Sequence, residues 1–289
     1  MSLMNALRRV ADLPGIRAVV LRPGVRRRIA RVLAARFLVG AWCTTTPWTV
    51  LRREFLDAGT THLYVLRRTG LPIALQHGRD MEALFEVFVR GEYEPPSELR
   101  ARLTNPSVVL DIGANIGAFS AWARGRWPQA DIVAVEPVAE NARVYRAWAT
   151  TAQDTLRLIE AAAGTEPGHA VFVQGMGGGD RRASPDDMQG DQQTVGTGFV
   201  TVPVVDILPV MADADVIKMD IEGGEWPILA DPRLADLRSV TLVMEYHRHG
   251  APFLPAADAA RQLLTRAGFR TGFARPNHWG HGILWAWKD

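Results

Sequence analysis

From residue 108 onward, short apolar runs alternate with longer stretches whose apolar positions recur every three or four residues. Val108 to Leu110 is apolar and β-branched, the pattern of a strand buried on both faces, and Ile116 to Trp127 carries helical periodicity. The same alternation repeats. Ile132 to Val135 predicts a second buried strand ending at Glu136, and Pro137 to Ala149 predicts a crossover helix. Leu156 to Ala162 predicts a third strand. His169 to Gln174 and Phe199 to Val205 have strand character. Asp215 to Met219 and Ser239 to His247 read as two more buried strands, Pro255 to Ala267 as a helix, and Phe269 to Ala274 with Ile283 to Trp287 as a closing antiparallel pair. Strands alternating with helices imply an α/β domain built on a largely parallel sheet.

Ahead of this domain, His62 to Leu66 and Pro72 to Leu75 flank Arg68-Thr69-Gly70 and predict a hairpin. Asp80 is placed to cap a helix through Val89, with Leu84, Phe85, Phe88 and Val89 facing inward. Arg90-Gly91-Glu92-Tyr93-Glu94-Pro95-Pro96 ends that helix. The division expected is therefore residues 1–100 as an arm and cap, and residues 101–289 as the main domain. The stretch from Gly175 to Gly198, rich in Gly, Asp and Gln, predicts a loop, either dispensable surface or a cover for a site.

Charge changes the picture only at the amino end. The 289-residue chain has a formal net charge of +2, with 33 Lys and Arg against 31 Asp and Glu. Residues 1 to 40 hold nine arginines and one acid, Asp12, so the arm is basic and the rest of the chain is acidic. Arg26, Arg27, Arg28, Arg31 and Arg36 interleave with Ile29, Val32, Leu33, Phe37 and Leu38 at helical spacing. Such a helix suits an acidic partner or an anionic membrane surface, or it packs on its own domain with a solvated arginine face. Its apolar run is too short to span a bilayer. One cysteine, Cys43, excludes an intramolecular disulfide and fits a reducing compartment, so a soluble cytoplasmic protein is expected.

Two polar turns carry the chemistry. Asp111-Ile112-Gly113-Ala114-Asn115-Ile116-Gly117 follows the first strand. Gly113 and Gly117 permit a sharp bend and close approach of a ligand, and the helix start offers exposed N–H groups. Asn115 stands where a dinucleotide fingerprint needs its middle glycine, which argues against a pyrophosphate. Asp111 instead suits the ammonium of a methionine moiety, and Glu136 at the next strand end suits a ribose. The second turn, Lys218-Met219-Asp220-Ile221-Glu222-Gly223-Gly224-Glu225, places three acids within six positions at a strand end. Lys218 and Asp220 share one side of a strand and are an expected ion pair. Glu245 and His247 project together from the last parallel strand, and His247 is the leading candidate for a general base.

Together the Asp111 to Gly117 turn, Glu136-Pro137, the Lys218 to Glu225 string and Glu245-x-His247 resemble the FkbM family of methyltransferases, over approximately residues 60 to 289. The resemblance implies a class I methyltransferase fold, a Rossmann-like seven-stranded sheet in the order 3-2-1-4-5-7-6 with the last strand antiparallel, behind a helical and hairpin amino-terminal extension. It implies S-adenosyl-L-methionine as cofactor and O-methylation of a hydroxyl on a natural product or sugar. Asp111, Gly113, Asn115 and Gly117 would hold the methionine end, Glu136 and Pro137 the ribose, and the segment around Ala162 the adenine, with Asp220 bordering the cofactor. Neither Ala161 nor Ala162 supplies a carboxylate to grip that base.

Methyl transfer from a sulfonium requires an aligned hydroxyl and removal of its proton. His247, Asp220, Glu222 and Lys218 are the candidate catalytic residues, with Glu225, Glu245 and His249 on the substrate. No resident metal is assigned, although Asp220, Glu222 and Glu245 offer hard oxygen ligands for metal-assisted transfer in the manner of catechol-type methyltransferases. A further alternative is a cofactor-binding docking module without turnover. No stretch of the chain indicates nucleic-acid binding.

Overall fold

The computed structural model describes residues 35–151, 156–173, 181–182, 199–276 and 280–289. Most of the basic arm, and the stretch from Gly175 to Gly198 apart from Arg181–Arg182, lie outside the described residues. The chain divides into two compact units, one of residues 1–92, 143–154 and 176–178, the other holding the remainder.

In the first unit β1 (Thr61–Val65) and β2 (Pro72–Gln76) form the expected antiparallel hairpin. The helix Pro47–Leu56 precedes it, with Pro at its start, where the missing N–H costs nothing. A buried polar chain ties helix to hairpin. Tyr64 Oη lies 2.6 Å from His77 Nε2, and His77 Nδ1 lies 3.2 Å from Glu54 Oε2, which also accepts from the Gly78 N–H at 3.0 Å. All three side chains are buried, so satisfying one another is what makes their burial tolerable.

The helix after the hairpin differs from expectation. Met81–Phe85 is α-helical, Glu86–Arg90 widens into a π-turn, and Gly91 ends it in the left-handed region at φ 59°. Met81, Leu84 and Val87 are the buried positions, rather than Phe85, Phe88 and Val89. Asp80 does not cap this helix; its Oδ2 turns back to accept from the Gln76 N–H at 2.7 Å. Burial pushes the Asp80 carboxyl up to about 6, against the opposing pull of that hydrogen bond and of Arg79.

The second unit contains a seven-stranded sheet. Its strands are β3 (Val108–Ile112), β4 (Asp131–Val135), β5 (Leu156–Ile159), β10 (Val216–Met219), β11 (Thr241–Tyr246), β12 (Arg270–Pro276) and β13 (Gly282–Trp287). They lie side by side as β5-β4-β3-β10-β11-β13-β12. Counted in chain order within this sheet, that is 3-2-1-4-5-7-6. The five strands from β5 to β11 are mutually parallel, and β13 runs antiparallel to both its neighbours. Leu110, Ile112, Ile217, Met219, Leu242, Met244 and Leu284 pack with Ile228, Leu229, Ala259, Ala260 and Leu264 from the helices Glu225–Ala230 and Ala256–Arg266. Apolar side chains lie on these strands without interruption because helices cover the sheet, so no polar alternation is required.

The third strand ends at Ile159, short of Ala162. The chain then leaves the large sheet, and β6 (Ala162–Gly164) joins β7 (Gly168–Val173), β8 (Arg181–Arg182) and β9 (Phe199–Asp206) in a separate four-stranded sheet ordered β6-β9-β7-β8. Ala162, Ala170, Phe172 and Val202 form its small core. Within the large sheet Trp285 is buried, as its alternation with small neighbours predicts, whereas Trp287 is half-buried against Phe273.

Candidate active site

Parallel strands put their carboxyl ends on one edge, so the turns after β3, β4, β10 and β11 converge there. β3 and β10 are hydrogen-bonded neighbours whose register sets Asp111 opposite Lys218. The Asp220 N–H continues that ladder to the Ile112 carbonyl at 3.0 Å. At Gly113, φ is +77°, and a Cβ there would lie 1.8 Å from the Asp220 carbonyl oxygen. The close approach that requires glycine is thus made by the neighbouring turn of the protein itself, not by a ligand.

The paired residues lock this junction. Lys218 Nζ lies 3.2 Å from Asp111 Oδ1 and donates to the Gly113 carbonyl at 2.6 Å, while Ser120 Oγ donates to Asp111 Oδ2 at 2.7 Å. Asp111 is fully buried and Lys218 nearly so. Burial by itself would lower the Lys218 ammonium, but Asp111 and Asp220 raise it above the ordinary lysine value. Two sequence-based expectations are corrected here. Asp111 does not present its carboxylate to a ligand, and Lys218, held charged by Asp111 rather than paired first with Asp220, is a positioning group and not a base. The pairing escaped the sequence because it depends on register between strands 107 positions apart.

Glu136 serves the same junction. Its Oε2 accepts from the Asn115 N–H at 2.8 Å, and its Oε1 from the Val138 N–H at 2.9 Å and Asn141 Nδ2 at 3.0 Å. A carboxylate offers about four acceptor positions. Three are taken, so one hydroxyl can be accepted and not the pair expected for a ribose. Burial raises the Glu136 carboxyl above the usual range, against these three hydrogen bonds and Lys218. Asn115 sits at φ 52°, and its Oδ1 is buried without a hydrogen-bond partner. Among the described residues, Asn115 Oδ1 and one position on Glu136 are acceptors of this turn without a hydrogen bond, as is Asp111 Oδ1 apart from its ion pair with Lys218; the first two fit a cationic nitrogen and a hydroxyl. Gly117 adopts φ 84° at the start of the helix Ala118–Arg126. Pro137 is half-buried beside Glu136. Ala162 is corrected: its methyl packs into the core of the four-stranded sheet and is not offered to an adenine.

The second turn gathers charge differently. Glu225, fully buried, accepts from the Gly223 N–H at 2.9 Å and the His247 N–H at 2.7 Å, and its Oε1 lies 3.2 Å from His247 Nδ1. It therefore cannot touch a substrate and acts by orienting His247. The other ring nitrogen, Nε2, faces Glu222 Oε2 at 3.5 Å and Asp220 Oδ1 at 3.9 Å. Burial works to lower the His247 imidazole, but Glu225, Asp220 and Glu222 outweigh it and push it up to about 10. His247 keeps its proton at neutral pH. The expectation of a neutral histidine acting as base is corrected accordingly. Glu222 is the most exposed of the acids, at 44 % of its side chain, and holds φ 52°, an uncommon conformation for a non-glycine residue that clusters at functional sites. Glu245 is half-buried, with ligand atoms of His247 and His281 close by. His249 is exposed; its carbonyl accepts from Trp226 Nε1 at 2.8 Å and its ring lies over Gly223, so it is not gathered with the acids.

Two residues here were not foreseen. The buried Tyr93 donates from its hydroxyl to Asp220 Oδ2 at 3.3 Å, its ring 5.8 Å from Lys218 Nζ and edge-on to Phe119. His281 stacks edge-on against His247 at 5.0 Å, and burial together with the His247 charge lowers its pKa. Tyr93 carried only the signal of a helix terminator, and His281 lies between two strands in a stretch without pattern.

A seven-stranded sheet of this order, with a glycine turn after its first strand and acids after its fourth, defines a Rossmann-like class I methyltransferase. Residues 111–271 match the Methyltransferase FkbM domain, and the chain belongs to that family. No curated protein matches the chain. Solved structures similar to it include precorrin-6y C5,15-methyltransferase from Geobacter metallireducens GS-15, with 17 % identity, 67 % of this chain and 88 % of that one covered, and a TM-score of 0.37. Ribosomal protein L11 methylase from Lactobacillus delbrueckii subsp. bulgaricus is similar at 14 % identity, with 74 % and 80 % covered and a TM-score of 0.36. Cofactor-bound Rv0187 from MTB is similar at 16 % identity, with 73 % and 98 % covered and a TM-score of 0.38. Among the described residues no helix is long and apolar enough to cross a membrane.

Proposed function

We propose that this methyltransferase uses S-adenosyl-L-methionine to methylate a hydroxyl of a small molecule of the natural-product or sugar type. The observation that carries the reading is the junction of the two turns. The Asp220 N–H bonds to Ile112, and Lys218 donates to the Gly113 carbonyl, so the turn that carries the second set of acids is bonded directly to the first. When bound, the cofactor supplies a methyl group on a sulfonium that needs little activation. Asn115 and Glu136 are the residues that would hold its ammonium and a ribose hydroxyl.

The chain's own work is then to hold the acceptor oxygen and take its proton. Asp220, at 26 % side-chain exposure, and Glu222 are the carboxylates open to an incoming hydroxyl. His247, positively charged, balances their charge, and Tyr93 donates to the far oxygen of Asp220. Acids that accept hydrogen bonds suit a hydroxyl substrate.

Calorimetric titration with S-adenosylhomocysteine tests the cofactor half. Wild type is expected to bind, and Glu136→Ala to weaken binding by about 1.5 to 3 kcal/mol, the range for a hydrogen bond to a charged group. Unchanged affinity in a folded variant would remove Glu136 from the cofactor site. A panel of hydroxyl-bearing acceptors with a methyl-labelled donor tests the chemistry, and label found only on nitrogen or carbon would overturn O-methylation.

A further inference from the structure

Outside hydrogen-bonding reach but facing one another, Asp220 Oδ1, Glu222 Oε2 and His247 Nε2 form a three-sided group on the strand-end edge. We propose that these three atoms bind a divalent transition-metal ion. The proposal deepens the reading above by assigning to an ion the task of holding the acceptor oxygen, and it rests on that reading only for what the ion does, not for its binding.

Three observations carry it. First, both separations are too long for charge-assisted hydrogen bonds, and that between Nε2 and Glu222 Oε2 is right for shared ligation. Nε2 stands 3.5 Å from Glu222 Oε2 and 3.9 Å from Asp220 Oδ1, whereas a charge-assisted N–H···O bond closes to about 2.7–2.9 Å. Ligand atoms at roughly 2.0–2.2 Å from a common ion sit about 3 to 3.5 Å apart for octahedral or tetrahedral angles. A small side-chain rotation of Asp220 therefore completes the set.

Second, the histidine is mounted as metal-bound histidines are. The side chain of His247 is only 4 % exposed, and its Nδ1 and its own backbone N–H are both held by the fully buried Glu225. A carboxylate on one ring nitrogen fixes the ring and raises the basicity of the other. Among the described residues the nitrogen so presented, Nε2, makes no hydrogen bond; it is aimed between two carboxylates, and an ion bound there would displace the proton that the imidazole otherwise carries. Third, the backbone is bent to bring Glu222 there. Glu222 holds φ 52°, an uncommon conformation for a non-glycine residue.

One imidazole with two carboxylates, leaving positions open, favours Mn²⁺, Fe²⁺ or Zn²⁺ over Ca²⁺, which prefers oxygen ligands alone. A hydroxyl oxygen entering an open position would be polarised and would give its proton to solvent more readily.

Full-length chain, stripped with chelator and desalted, would be titrated with Mn²⁺ while free Mn²⁺ is followed by its paramagnetic resonance signal. One saturable ion per chain is expected. Binding should weaken at least tenfold in Glu222→Gln, whose exposed side chain makes it safe to replace, and also in Asp220→Asn and His247→Ala. Glu225→Gln, checked for folding by circular dichroism, should weaken it about 10- to 100-fold through loss of ring orientation. Absence of saturable binding at millimolar Mn²⁺, or equal binding in Glu222→Gln and Asp220→Asn, would overturn the site. S-adenosylhomocysteine affinity measured on the same samples separates the two claims. Its retention without Mn²⁺ binding defeats only the metal site, and its loss in wild type defeats the functional reading while leaving the ion titration to stand by itself.

Discussion

The turns after β3 and β10 both carry acids at a strand end, yet they use them in opposite ways. In the first, Asp111 is sealed beneath Lys218 and Ser120, and Glu136 spends three acceptor positions on backbone and Asn141. In the second, Asp220 and Glu222 remain partly exposed around a histidine that Glu225 has already oriented. An acid at a strand end is therefore not evidence of ligand contact. What separates scaffold from site here is how far the carboxylate is withdrawn from solvent.

The largest test breaks the junction. Gly113→Ala would place a methyl 1.8 Å from the Asp220 carbonyl at a backbone φ of +77°. A loss of about 5 kcal/mol or more is expected, enough to unfold a domain of ordinary stability, and a denaturant titration of the variant measures it. A loss below about 1 kcal/mol would mean that the two turns are not locked together.

A smaller effect probes the charge gathered at the second turn. The His247 pKa, about 10 in the folded chain against an ordinary 6.5, means the folded state binds the proton more tightly than the unfolded state. The stabilisation is fully present below about pH 6.5 and is lost as pH rises through about 10, amounting to on the order of 5 kcal/mol. Stability measured in chelator should fall across that window, and the fall should vanish in His247→Gln. A wild-type profile flat between pH 7 and 10 would show that the acids do not hold the imidazole charged.

The smallest expected effect sharpens the comparison most. Glu222→Gln should change stability by no more than about 0.5 kcal/mol, as for other exposed substitutions, while sharply reducing methyl transfer to whatever acceptor the enzyme is found to use. Equal loss of stability and activity would make Glu222 part of the scaffold.

Much of this was readable from the chain alone. The apolar runs ending at Asp111, Glu136, Asp220 and His247 mark strands that exist, because a strand covered by helices shows an unbroken apolar signature. The helix after Asp80 was less legible, since a π-turn at Glu86–Arg90 shifts the inward face and no local propensity announces it. The placement of Ala162 is not legible in the sequence, because a run of small residues does not reveal that the chain changes sheets after Ile159. The sequence also names the acids without saying which are buried. Tyr93 reaches Asp220 from 127 positions away, and only tertiary packing makes that contact.

The close approach of Gly113 to the Asp220 carbonyl has a consequence for how the two ligands would communicate. A ligand that displaces the first turn would pull on the second, because the Asp220 N–H and the Lys218 ammonium bond the two together. Binding on one side is then thermodynamically linked to binding on the other, and linkage is reciprocal. Any factor by which the cofactor alters the acceptor's affinity must equal the factor by which the acceptor alters the cofactor's. A single glycine is the hinge through which that exchange would pass.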